Sequence, residues 1–497
     1  MLIRNFFTIL LILLTLIGIA NGKDTAPKNF QGSDDIKRVL REAYGNYDKE
    51  GLSTIKLYNQ QNPKKTIQAW KGNFDYSKEA KKLDSQFPWR NKELDLRKAQ
   101  DAQKFSEIVL SYIFEGWFTK ENKNNFDSHF RENNQRTWCS APWVSDGPGG
   151  RTAVHGLLSE LPLRPNPVYE VDPNFDFFTN KLSWMERPLG WGVPFFNRPV
   201  CESYEDVFGT PKDPHFPPRY QDYKTPEGFV SFKLHFNTMP NWRDYSPFKG
   251  AYHWQDFVSE TWASKKRRLR DLPLIQIAVS FKDSHPSLKG TRRDADYWVM
   301  LVYTFDPNFN NHLVNNNTIP EPLKHMKAMG IQTGFEPQYS MIFPGSKSNH
   351  MVLDKNDQEV FIPEGPHTLL NGASDNAFSS CMGCHAADFG KKAQAIQDIL
   401  GEPIPNTRGF TWKFTFYDAP SYLKVKDQIG VATDFNLHLE SAKKRSGRFI
   451  KLYCQEHSPD KRCSDGGAFT EPTEFANLMC LPEMVDLQPP GYCDFGQ

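Results

Sequence analysis

The stretch Tyr297-Trp-Val-Met-Leu-Val-Tyr-Thr-Phe305 decides the fold. It is built from aromatic and β-branched residues with no Gly, Pro or charge, so it reads as a strand. Its odd and even positions are both apolar. A strand of that kind is covered on both faces and lies inside its sheet. Upstream, Leu274-Ile-Gln-Ile-Ala-Val-Ser-Phe281 reads as a second strand. Phe229-Val-Ser-Phe-Lys-Leu-His-Phe236 alternates apolar with polar, which places His235 on the wetter face. A shorter candidate lies near Gln338 to Phe343. Together they predict a largely antiparallel sheet, open or folded into a sandwich.

Further upstream, Leu94 to Trp117 has apolar residues at helical spacing, with Ala102, Phe105, Val109 and Ile113 on one face. Asp35 to Tyr44 is a weaker helix candidate, and so is Trp254 to Arg270. Residues 162–226 are rich in Pro, Gly and aromatics and read as loops with short strands. After the sheet, Ala386 to Leu400 reads as a helix that stops at Gly401, Phe410 to Phe416 as a strand, and Asp434 to Tyr453 as a helix. The expected class is α+β: a β-rich region, a small helical segment and a cysteine-rich tail. The expected divisions are 1–22 leader, 23–135 mainly helical, 136–345 β-rich, and 346–497 helical segment with tail.

Within that last division stands Cys381-Met-Gly-Cys-His385. Cys-x-x-Cys-His is the pattern of covalent c-type haem attachment, in which two thiols bond the vinyl groups and the His ligates iron. With 8 Cys and 13 His in 497 residues, chance supplies about 0.003 such pentapeptides. A zinc site needs two more ligands, and His438 and Cys454 lack a paired spacing. A redox dithiol of the thioredoxin type needs a βαβ context that is not seen here. The reading is therefore one covalent haem c, tethered by Cys381 and Cys384, with His385 as proximal iron ligand. The distal ligand is left open among Met479, Met484, His438, Met341, Met351, His350, His367 and His155. His155 has two other readings, a satisfied core histidine or an active-site base.

Covalent haem of this type goes with export. Met1-Leu-Ile-Arg-Asn5 is a short positive region, Phe6 to Ala20 is apolar, and Ala20-Asn-Gly22 offers small residues for cleavage. The apolar run is shorter than the ~20 residues that span a bilayer. A cleaved signal peptide, a periplasmic location and no membrane span after cleavage are expected. Outside the haem motif remain Cys139, Cys201, Cys454, Cys463, Cys480 and Cys493. Four fall after Ile450, so Cys139 with Cys201 is the natural remaining disulfide. A formal charge of +1 argues against a nucleic-acid partner. The densest basic run, Lys265-Lys-Arg-Arg-Leu-Arg270, is either a solvated face or a docking patch for an acidic redox partner.

Arg136-Thr-Trp138 with Ala141-Pro-Trp143, Gly149-Gly-Arg151 with His155-Gly-Leu157, and Leu370-Asn-Gly372 with Asp375-Asn376 ahead of Ser379-Ser-Cys-Met-Gly-Cys-His385 carry a resemblance. These motifs resemble large exported bacterial monohaem cytochrome c family proteins, over about Gln135 to Asp388. The resemblance implies periplasmic haem binding through Cys381, Cys384 and His385, and no assigned substrate. The turn before His155 reads Thr152-Ala-Val154, where bulkier residues are usual in that family.

Three functions are expected from these readings. The first is one-electron transfer to or from a periplasmic redox partner. The second is a haem-dependent oxidoreductase, oxidising a small-molecule substrate or reducing peroxide, with the β-rich region binding substrate. The third is a haem-based module that binds or senses a small ligand. No Ser/His/Asp order, phosphate loop or His-Glu-x-x-His motif points to hydrolytic or nucleotide chemistry.

Overall fold

The computed structural model describes residues 49–67, 87–114, 138–139, 152, 154–162, 186, 188–208, 225–244, 248–261, 263–264, 266–293, 296–310, 319–334, 340–343, 349–353 and 359–363. The expected signal peptide, the Cys-x-x-Cys-His pentapeptide, the helix candidate at Asp35 to Tyr44, and the whole chain after Pro363, with the elements expected at Ala386 to Leu400, Phe410 to Phe416 and Asp434 to Tyr453, lie outside them.

The principal sheet is built from β2 (Leu158–Pro162), β3 (Leu189–Phe196), β4 (Phe229–Asn237), β5 (His253–Val258), β6 (Arg268–Lys282), β8 (Trp298–Phe305), β9 (Met326–Gln332) and β10 (Ser340–Ile342). Its order is β10-β9-β8-β6-β4-β3-β2, antiparallel throughout, with β5 paired to the first half of β6. All eight residues of β8 are buried, as expected for an interior strand apolar on both faces.

One face of this sheet forms the main core. Val230, Phe232, Leu234 and Phe236 of β4 lie there with Val299, Leu301, Tyr303 and Phe305 of β8. The helix that covers them is α2 (Ala99–Phe114), which buries Ala102, Phe105, Val109, Leu110 and Ile113 on one side. Each fully buried Phe, Val or Leu contributes roughly 1.5–3 kcal/mol. Helix and sheet thus share one core, although α2 ends at Phe114 while β4 begins only at Phe229 and β8 at Trp298. A 3₁₀ turn, Pro88–Asn91, precedes α2, and β1 (Leu94–Asp95) pairs in parallel with β7 (Leu288–Lys289).

Helix α1 (Lys49–Gln61) packs through Ile55 against Val154 and Phe257 on the outer side of β5. Helix α3 (Arg198–Phe208) packs against the other face of the main sheet, where Tyr204 lies 5.2 Å from Phe196, ring centre to ring centre. The short helix α4 (Glu321–Lys324) leads into β9, and β11 (Asn349–Leu353) with β12 (Glu359–Pro363) forms a separate hairpin.

The helix expected over Trp254 to Arg270 is not formed. Its first part is β5, and its last residues open β6, with Val258 opposite Arg268. The alternation explains it: His253 and Gln255 are exposed, while Trp254, Asp256 and Val258 are buried. Two full elements, β3 and α3, lie in the stretch expected to be loops and short strands.

Candidate functional site

Cys381, Cys384 and His385 lie outside the described residues, as do His367, His438, Met479 and Met484. His350 and Met351 fall on β11, where only the backbone is described. Met341 is half-buried and packs against the main core. His235 is half-buried on the face of the sheet opposite α2. His155 has the most developed surroundings.

The backbone of Thr152 to Leu157 closes on itself. The Thr152 N–H donates to Leu157 O at 2.8 Å, and the Gly156 N–H to Thr152 O at 3.0 Å. Gly156 takes a φ of +69°, which favours glycine and makes the turn this tight. The loop projects His155 onto β5, where Trp254 and Asp256, two apart, share a face. The imidazole stacks on Trp254 with centroids 4.4 Å apart and planes 14° from parallel, and Trp254 stacks in turn on Phe236 at 4.5 Å.

Asp256 is fully buried and holds the loop in place. Its Oδ2 accepts from the Thr152 hydroxyl, from the His155 N–H at 3.1 Å, and faces His155 Nδ1 at 3.3 Å. Its Oδ1 accepts the Phe257 N–H at 2.7 Å. Thr152 Oγ1 also accepts from the Leu157 N–H at 2.9 Å. A carboxylate beside Nδ1 selects the tautomer with its proton there, which leaves Nε2 as the basic nitrogen. The ring is 1 % exposed. The geometry is that of a satisfied core histidine, oriented as a ligand or base would be.

Sequence reading missed a second buried carboxylate, at Asp283. Trp89 Nε1 donates to it at 2.6 Å, Arg90 reaches it through Nε at 2.8 Å and Nη2 at 2.9 Å, and the His285 N–H adds a bond at 2.9 Å. Burial pushes the Asp283 carboxyl up, but the hydrogen bonds from Arg90, Trp89 and His285 outweigh it and hold it below its ordinary value. Nothing local announces a contact across 194 residues. Tyr303 Oη donates to Ser106 O at 2.5 Å, and burial, with Glu107 nearby, raises its pKa well above the ordinary phenol.

The basic run is partly consumed by the fold. Arg267 is 7 % exposed and stacks over Trp191 at 5.2 Å, and Arg270 pairs with Glu260. Lys266 and Arg268 are exposed. Cys139 and Cys201 form the disulfide expected, with sulfurs 2.01 Å apart, joining the bridge at Phe196 to α3. Among the described residues no group of three or more His, Cys, Asp or Glu is gathered as a metal site, and no helix is long and apolar enough to cross a membrane.

No family model, curated protein or solved structure matches the chain.

Proposed function

We propose that the chain is an exported, periplasmic c-type cytochrome that binds one haem covalently and transfers single electrons. The observation that carries the reading is Cys381-Met-Gly-Cys-His385. The donor set fits the group: two thiols for two thioether links, and an imidazole next in sequence for the iron. When bound, the haem supplies a one-electron ferrous–ferric couple. Cys381 and Cys384 would hold it through thioether links, and His385 would supply an imidazole to its iron. The Cys139–Cys201 disulfide supports an oxidising compartment. The resemblance to large exported monohaem cytochromes agrees with the same reading.

A second reading is favoured by the sheet. A bare carrier needs no eight-stranded sheet with its own helical layer. We propose, as the alternative, a haem-dependent oxidoreductase whose β-rich region binds a small-molecule substrate.

The test is direct. Mature protein denatured and treated with acidic acetone keeps its haem, and Cys384→Ala loses one thioether link, read by mass. Haem extracted from the wild type overturns the assignment. A reduced spectrum that is low-spin and indifferent to carbon monoxide marks the carrier. Rapid carbon monoxide binding marks the enzyme, or a small-ligand sensor.

A further inference from the structure

Oxidisable side chains stand in line through the main core. Trp138, Tyr112 and Trp89 are all buried there, and their rings meet edge to face. Tyr112 lies 5.7 Å from Trp138 and 5.2 Å from Trp89, ring centre to ring centre, which is contact distance for aromatic pairs. Indole and phenol give up one electron far more readily than the benzene ring of phenylalanine. Elsewhere the indoles meet phenylalanine: Trp254 stacks on Phe236, and Trp298 stands against Phe229.

The members of the line differ in what surrounds them. Trp89 Nε1 donates to Asp283 Oδ2 at 2.6 Å, whereas Trp191 and Trp242 donate to the main-chain carbonyls of Ser259 and Asp271. A carboxylate in a water-poor site favours positive charge on the indole it touches, and it can take the indole proton. The Arg90 guanidinium that shares this carboxylate lies over the Phe87 ring, 4.5 Å from its centre. At Tyr112 the sense is opposite. Asn197 Nδ2 points at the phenol oxygen from 3.4 Å, and a donor there disfavours positive charge on the ring. Trp138, at the far end, adjoins Cys139, whose disulfide reaches Cys201 on α3.

We propose that these three rings form an electron relay, which draws an oxidising equivalent from the disulfide side of the sheet through the core and holds it on Trp89. The oxidant is a one-electron acceptor of high potential. Trp138 gives it one electron and is refilled from Tyr112, which is refilled from Trp89. The oxidant is thereby reduced by one electron and Trp89 oxidised by one. The Nε1 proton passes to Asp283 Oδ2, which leaves a neutral indolyl radical beside a carboxylic acid. The use of such a relay to a redox protein is to carry stray oxidising equivalents to one shielded ring. It goes beyond the cytochrome reading and does not depend on it, because the test supplies the oxidant from outside.

The test attaches a ruthenium(II) polypyridyl complex to a histidine introduced by Glu202→His, on the solvent side of α3 next to Cys201. The intact protein is first treated with ferricyanide, so that any haem is ferric and gives up no electron. A flash in the presence of a sacrificial acceptor makes ruthenium(III), and the radical formed is read by transient absorption and electron paramagnetic resonance. Protein labelled on its own histidines alone is the blank. The expected product is a neutral indolyl radical in excess of that blank. Tyr112→Phe, which keeps the ring contacts, should lower its yield roughly tenfold, since a ring harder to oxidise raises the barrier to transfer. Asp283→Asn, which removes the proton acceptor, should lower it as well. No indolyl radical above the blank overturns the relay. So does a tyrosyl radical as the lasting product, or a yield unchanged in either variant when circular dichroism shows that variant folded.

Discussion

Asp283 and Asp256 are both fully buried on this sheet, and different means keep them there. At the Asp283 corner a guanidinium supplies the opposite charge in a two-bond fork, backed by the indole of Trp89. At the Asp256 corner the donors are a hydroxyl, an imidazole and two backbone N–H groups, with no guanidinium or ammonium in contact among the described residues. The first arrangement ties a distant segment to the sheet by charge. The second fixes one ring in one tautomer by geometry. The lesson is that buried carboxylates here do two jobs, fastening and orienting, and the type of donor tells them apart.

The largest expected effect comes from breaking the charged corner on its cationic side. Arg90→Ala leaves Asp283 buried with its main partner gone, and should cost about 3–5 kcal/mol, seen as a lower midpoint in urea unfolding. Arg90 itself is 27 % exposed, so Asp283→Asn, which lets the guanidinium turn to water, should cost less. The pH dependence of this corner follows from the depressed Asp283 pKa. The unfolded chain binds the proton more tightly than the folded one. Stability is therefore present above the ordinary carboxylate value of about 4, and lost as pH falls through the lower folded value. Asp283→Asn should flatten the acid limb of an unfolding-versus-pH curve; an unchanged limb would mean that Asp283 contributes no proton linkage.

Next in size is the neutral corner. Asp256→Asn replaces an oxygen that serves three donors by a group that is itself a donor. The expected cost is about 2–3 kcal/mol, with a changed near-ultraviolet signal as the ring on Trp254 loosens. Gly228→Ala tests the packing that supports the charged corner. Gly228 has a φ of +77°, and an added Cβ would stand 2.5 Å from the Phe87 ring. Phe87 lies under Arg90, so about 1–3 kcal/mol should be lost, measured by thermal unfolding. The smallest effect is expected from His155→Phe, which keeps the stack on Trp254 and removes Nδ1, at about 1 kcal/mol. If His155→Phe also alters the spectrum of the haem-loaded protein, His155 reaches beyond its structural place.

Much of the sheet was legible in the sequence, because β4, β6 and β8 are rich in β-branched and aromatic residues and α2 keeps its apolar spacing. The elements that escaped have identifiable reasons. Gly190, Gly192 and Pro194 inside β3 read as loop. They are tolerated because β2 reaches only to Gly192, which leaves Pro194 beyond that pairing, where a missing N–H breaks no bond to it. The charges of Lys265 to Arg270 masked the start of β6, since two of those arginines are spent on Trp191 and Glu260. The Cys381-Met-Gly-Cys-His385 pentapeptide stands out in the sequence because its residues are scarce and adjacent, and it lies outside the described residues. The two carboxylate corners were not, since their members meet across 101 and 194 residues with no local pattern to mark them.

The corner at Asp283 also sets a schedule. Trp89 and the apolar side of α2 leave the ribosome long before the strands that cover them, and the tie from Trp89 to Asp283 waits on 194 further residues. Through that interval Phe105, Val109 and Ile113 have no sheet to lie on. The growing chain presents a sticky amphipathic helix, a natural client for a chaperone that holds such segments apart, and its closure becomes a late, long-range event in folding.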